Sequence, residues 1–126
     1  MVIVGGEGMG HVYIRARVES SEGVSEEYEF LVDTGASYMV LREKEFKELK
    51  LKPMFKVRFT LADKRVVEVP VAPVKVGAMG REAVVFAALM DSPMPLFGAF
   101  TLEALGLAVD PSTGEVKPSR PAALLL

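Results

Sequence analysis

Phe30-Leu31-Val32-Asp33-Thr34-Gly35-Ala36-Ser37 carries an apolar strand straight into an acid, a hydroxyl, a glycine and two more small residues. An ionised carboxylate loses several kcal/mol of hydration on leaving water, so an acid driven to the edge of a core must be neutralised or hydrogen-bonded. The residues that follow can do the second. Thr34 offers a hydroxyl, Gly35 lets the backbone turn and approach closely, and Ser37 can donate a further hydrogen bond to the carboxylate. The plainer alternative is that Asp33 only starts a turn, as Asp and Gly commonly do. An Asp-Thr-Gly triplet arises by accident in a chain of this length on the order of a few percent of the time. Three letters alone therefore do not decide, and the surroundings must.

The chain has 126 residues, half of them apolar, which predicts one compact domain over 1–126 with its core at about 11–116. A net charge of -2 and a pI near 5.5 leave no basic stripe, so nucleic acid is not an expected partner. Cysteine is absent and histidine occurs once, at His11. That excludes disulfides, thiolate catalysis and multi-histidine or cysteine metal sites, and no cofactor is expected. Met1-Val2-Ile3-Val4 is too short and uncharged for a signal peptide, and no apolar run approaches a membrane span. A soluble cytoplasmic protein is the expectation. Asparagine and glutamine do not occur at all, a depletion that points toward a hot habitat.

Along the chain the pattern is mostly that of strands. Gly5 to Gly10 is glycine-rich, but a strand follows where a phosphate-binding loop would need a helix. From His11 an alternating run sets Val12, Ile14, Ala16 and Val18 on one face and Tyr13, Arg15 and Arg17 on the other. Ser20 to Gly23 predicts a turn, and the returning strand delivers Asp33 at its end. Tyr38 to Leu41 reads as a buried strand, and Arg42 to Leu49 as a short helix with a solvated charged face. Lys56 to Leu61 and Val66 to Val69 predict a hairpin turning at Ala62 to Arg65. Val71 to Val76 and Ala83 to Leu89 read as two further strands, the second buried on both faces. After Pro93-Met94-Pro95, Leu96-Phe97-Gly98 opens a short helix packed through Phe100, Leu102 and Leu105 and ended by Gly106. A last hairpin turns at Asp110 to Gly114.

With Asp33-Thr34-Gly35-Ala36-Ser37 after one strand and Leu96-Phe97-Gly98 before a helix, the chain resembles the single-domain, retropepsin-like aspartic proteases. The likeness runs from about His11 to Val116. It implies a mostly β fold, a closed retropepsin-like barrel with one or two short helices, active as a two-fold homodimer. It implies Asp33 as the catalytic acid, supported by Thr34, Gly35 and Ser37, and makes the hairpin after the turn a flap over a bound peptide. Ala36, Leu61, Ala62, Met94 and Leu96, with Asp63 at the flap tip, are then the candidate substrate-binding residues. Plain core packing is the competing reading for the apolar ones. Relatives usually carry glycine at the flap tip, where this chain has Asp63-Lys64.

Peptide hydrolysis without metal, thiol or activated serine needs a general base for water and a general acid for the carbonyl. Two carboxyls sharing a proton supply both, because repulsion keeps them from ionising together, as in aspartic proteases generally. Asp63, Asp91 and Asp110 stand in no matching context, so the second acid must come from a symmetric partner. Val2 to Val4 and Ala122 to Leu126 are apolar ends that interleaved terminal strands would bury. Retroviral relatives carry an interface ion pair at positions that are Ser37 and Ala99 here, so a different interface is implied. The expected function is that of an aspartic endopeptidase acting on a peptide or protein. The alternatives are a noncatalytic dimer that binds peptides in the same groove, and a β-rich scaffold domain in which Asp33 is structural.

Overall fold

The computed structural model describes residues 11–61 and 63–121. Expectations that fall on residues 1–10, on Ala62 and on residues 122–126 lie outside these, including the terminal strands and one candidate of the flap tip. Among the described residues the chain is mostly β, with strands β1 (Tyr13–Glu19), β2 (Ser25–Val32), β3 (Met39–Leu41), β4 (Phe55–Thr60), β5 (Val66–Ala78), β6 (Arg81–Leu89), β7 (Leu96–Phe97), β8 (Leu107–Asp110) and β9 (Glu115–Pro118). Two short helices, α1 (Glu43–Glu48) and α2 (Ala99–Leu105), complete it. No helix among the described residues is long and apolar enough to cross a membrane.

The alternation read from His11 onward becomes β1, whose Ile14, Ala16 and Val18 are buried while Tyr13, Arg15 and Arg17 are exposed. β1 and β2 form a hairpin with Tyr13 opposite Leu31 and Glu19 opposite Ser25. Its turn closes on Ser20, whose Oγ accepts the Glu22 and Val24 amides, and Gly23 takes the left-handed φ of 85° that the turn needs. β1 also pairs antiparallel with the end of β5, Val18 opposite Val76. The hydrogen-bonded order thus runs β1, β2, β7, β3, β6, β5 and back to β1, with β4 attached to β5. Inside this order lies the main apolar cluster, built around Phe30, Phe97, Met39, Leu41, Val74 and Leu105. The Phe30 and Phe97 rings meet with centroids 4.7 Å apart.

Four details depart from the sequence reading. β5 runs unbroken through Pro70 and Pro73, because each proline gives up one ladder donor without leaving the extended conformation. β6 is buried on both faces only near Ala87 and Ala88. Val84 is 71 % and Phe86 41 % exposed, on a face where Phe86 meets the Phe55 ring of β4 edge-on at 5.2 Å. In α2, Leu102 and Leu105 are buried as expected, but Phe100 is 55 % exposed. In α1 the charge run is not wholly a solvated face, since Glu45 is fully buried beside Arg42. Gly106 ends α2 at φ 69°, the left-handed cap its position predicts.

Candidate active site

β2 pairs in parallel with the two-residue β7, Leu31 beside Leu96 and Val32 beside Phe97, and β7 pairs antiparallel with β3 through Leu96 and Val40. β7 therefore lies between the strand that ends at Asp33 and the strand that leaves the turn after it. Successive side chains of a strand point to opposite faces. Val32 enters the main core and Leu31 a second, smaller apolar cluster. The Asp33 amide continues the pairing with β7, and the same alternation carried one residue past the strand assigns Asp33 to the Leu31 side.

Asp33 is only 3 % exposed. Its amide donates to the Phe97 carbonyl at 2.9 Å, and its own carbonyl accepts the Ala36 amide at 3.1 Å, which closes the turn. The carboxylate Oδ1 accepts the Gly35 amide at 3.0 Å. A buried acid at a strand end is thus met by a backbone donor, as burial demands. Thr34, Gly35 and Ser37 are exposed and Ala36 is half-buried, so the buried carboxylate sits directly beneath an accessible loop edge.

The second segment grips the first from behind. The Ala99 amide donates to the Ala36 carbonyl at 2.7 Å and the Phe100 amide to the Ser37 carbonyl at 3.0 Å. These are free first-turn donors of α2, and the turn supplies their acceptors. Gly98 stands where they meet. A Cβ there would fall 2.6 Å from the Ser37 carbonyl oxygen and 2.8 Å from that of Ala36, and would also strike the Tyr38 carbonyl. Its φ of -85° suits any residue, so glycine is required here by close approach and not by backbone conformation.

Met94 and Leu96 belong to a small apolar cluster with Leu31, Val40 and Met90, on the Leu31 face of β2. Leu61 and Asp63 lie at the tip of the β4–β5 hairpin. There the Leu61 amide donates to the Arg65 carbonyl at 2.8 Å, and the Asp63 carboxylate accepts the Arg65 amide at 3.0 Å and its Nε at 2.6 Å. The Arg65 amide and guanidinium hold the Asp63 carboxyl below its usual range. Lys64 adopts φ 70° in the position where a glycine is expected. The hairpin reaches the turn through Tyr38, whose ring meets Phe59 of β4 and Phe100 of α2 edge-on, each at 5.9 Å.

Sequence reasoning missed Tyr38 as this bridge, and the only available signal was an aromatic directly after the small residues of the turn. It also missed the bond from Arg42 to the Pro93 carbonyl at 3.1 Å, which no local pattern announces. One concavity of about 680 Å³, lined by Arg15, Arg17, Glu27, Met79 and Arg81 among others, includes none of the turn residues 33–37.

The family profile described as aspartyl protease matches residues 14–99, which span Asp33-Thr34-Gly35 and end just past Gly98. The chain belongs to the retropepsin-like aspartyl proteases. Family membership accounts for both gripped segments lying inside the matched range, and for the mostly β architecture around them. No protein of curated function matches the chain.

Proposed function

We propose that the protein is an aspartic endopeptidase that works as a two-fold homodimer, with Asp33 of each protomer forming the catalytic pair. The observation that carries this reading is the buried Asp33 carboxylate at the end of β2, held by the Gly35 amide under an exposed Thr34-Gly35 edge. A protomer has one such acid, and an isologous contact at this edge supplies the second. In the pair one carboxylate takes a proton from water while the other, protonated, donates to the substrate carbonyl. The water oxygen bonds to the carbonyl carbon, giving a tetrahedral intermediate. The C–N bond then breaks as the protonated carboxyl gives its proton to the leaving nitrogen and the other carboxylate takes one from a hydroxyl of the intermediate, which restores the dyad with its single proton. The Thr34 hydroxyls exchange hydrogen bonds across the axis, and Gly35 contacts the substrate or the attacking water through its backbone.

On this reading the chain is a single domain whose returning strand order forms a closed barrel. The β4–β5 hairpin is the flap, and an extended peptide lies between it and the turn with alternate side chains in pockets. The cluster of Leu31, Val40, Leu96 and Met94, on the face that alternation along β2 assigns to Asp33, favours apolar side chains next to the cleaved bond. The decisive variant is Asp33→Asn. Cleavage of a peptide library is expected to fall by at least about a hundredfold while folding and dimerisation persist. Undiminished cleavage in the purified variant would overturn the assignment. Selective peptide binding without cleavage in the wild type would favour a noncatalytic peptide-binding dimer instead.

A further inference from the structure

Arg42 follows β3 directly and opens α1. Its amide donates to Glu45 Oε1 at 2.8 Å, its Nε to the same oxygen at 3.0 Å and its Nη2 to Oε2 at 2.6 Å. The Glu45 side chain is wholly buried, and that of Arg42 is 30 % exposed. A buried carboxylate engaged at both oxygens gives up its partner only at a large cost, so the rigid guanidinium fork is fixed in place. That leaves Nη1, which donates to the Pro93 carbonyl at 3.1 Å.

The segment it reaches is unusual in what can hold it. Pro93 and Pro95 flank Met94 and have no amide hydrogens, so Pro93-Met94-Pro95 must be tied largely through its carbonyls. All three are engaged. Pro95 O accepts the Leu31 amide at 2.9 Å, Met94 O accepts Ser92 Oγ at 2.7 Å, and Pro93 O accepts Arg42. Of these, only the Arg42 bond links the segment to α1. Met94 packs on the Leu31, Val40 and Leu96 cluster, on the face that alternation along β2 assigns to Asp33.

We propose that Arg42, held by the buried Glu45, is a positioning residue that fixes Met94 beside Asp33 and so sets the size of apolar side chain accepted next to the cleaved bond. The proposal rests on the reading of Asp33 as the catalytic acid and of this cluster as the floor of the peptide groove. Arg42 touches no reacting atom, and it acts through the Pro93 carbonyl.

Two variants test it. Arg42→Lys keeps a cation for Glu45, but one ammonium cannot span both Glu45 and Pro93. Arg42→Met combined with Glu45→Gln removes both charges of the pair together and keeps an oxygen for the backbone amide of the N-cap position 42, so the fold does not hang on an orphaned carboxylate. Paired peptides differing only in Leu or Ala on either side of the scissile bond are compared, by affinity in an Asp33→Asn background and by kcat and KM in the active one. The wild-type preference for the larger residue is expected to fall about tenfold in both variants, carried in KM. An unchanged preference in the folded variants would overturn the proposal while leaving Asp33 catalysis standing. If the wild type binds selectively but cleaves nothing, the catalytic reading fails, and a drop in binding preference in the variants still supports the positioning role.

Discussion

Gly98 shows how one residue type can be demanded from a distance. The Ala36 and Ser37 carbonyls that a Cβ would strike are already committed to the Ala99 and Phe100 amides, so no side-chain rotation can relieve the clash. Gly98→Ala is expected to cost more than about 3 kcal/mol, read as a lowered denaturation midpoint. A midpoint equal to the wild type would show that the turn and α2 yield without penalty. Lys64 poses the opposite case. Its φ of 70° places a side-chain-bearing residue in the left-handed region at the hairpin tip. Lys64→Gly is expected to stabilise the protein by about 0.5–1 kcal/mol, the relieved strain exceeding the added freedom of the unfolded chain. Loss of stability in equilibrium unfolding would contradict this.

At the scale of elements, α1 is a six-residue helix whose stability lies in its N-terminal ion pair more than in its length. Burial pushes the Glu45 carboxyl upward, but the hydrogen bonds and charge of Arg42, with a smaller contribution from Lys44, outweigh it and hold the group below its usual range. A folded value lower than the unfolded one means that the ionised form favours the native state. The contribution is therefore complete above the ordinary glutamate value near about pH 4 and is lost as the pH falls through the depressed one. Thermal unfolding between neutral and acidic pH is expected to show this as a fall in Tm on the acid side. Glu45→Gln is expected to lower stability at neutral pH by on the order of 2 kcal/mol and to flatten that acid limb. A variant with the wild-type pH slope would place the acid sensitivity elsewhere. The β4–β5 hairpin is a contrasting element, with its Val57, Phe59 and Val67 in a separate cluster with Val69, Val71 and Tyr38.

For the whole molecule, the proposed chemistry makes activity a property of pairs. When wild type is mixed with an equal amount of Asp33→Asn and allowed to exchange, random pairing is expected to reduce the activity of the same wild-type quantity to about half. Unchanged activity at full exchange would mean that a single acid suffices. The acid, the hydroxyl and the glycine of the turn, the alternation of β1 and β2, and the Gly106 cap were legible because each is a local pattern: a face, a strand end, a backbone geometry. The unbroken β5 and the exposure of Val84 and Phe100 were not, because they depend on which neighbour covers a surface. The sequence by itself determined a mostly β chain and where the acid stands, since side-chain period and turn chemistry act over a few residues. Only the tertiary structure decided that β7 enters between β2 and β3, that Gly98 meets three carbonyls of the turn, and that Arg42 reaches Pro93. Those contacts join segments far apart along the chain, and close approach between them is fixed by the packing of the whole rather than by any residue's own preference.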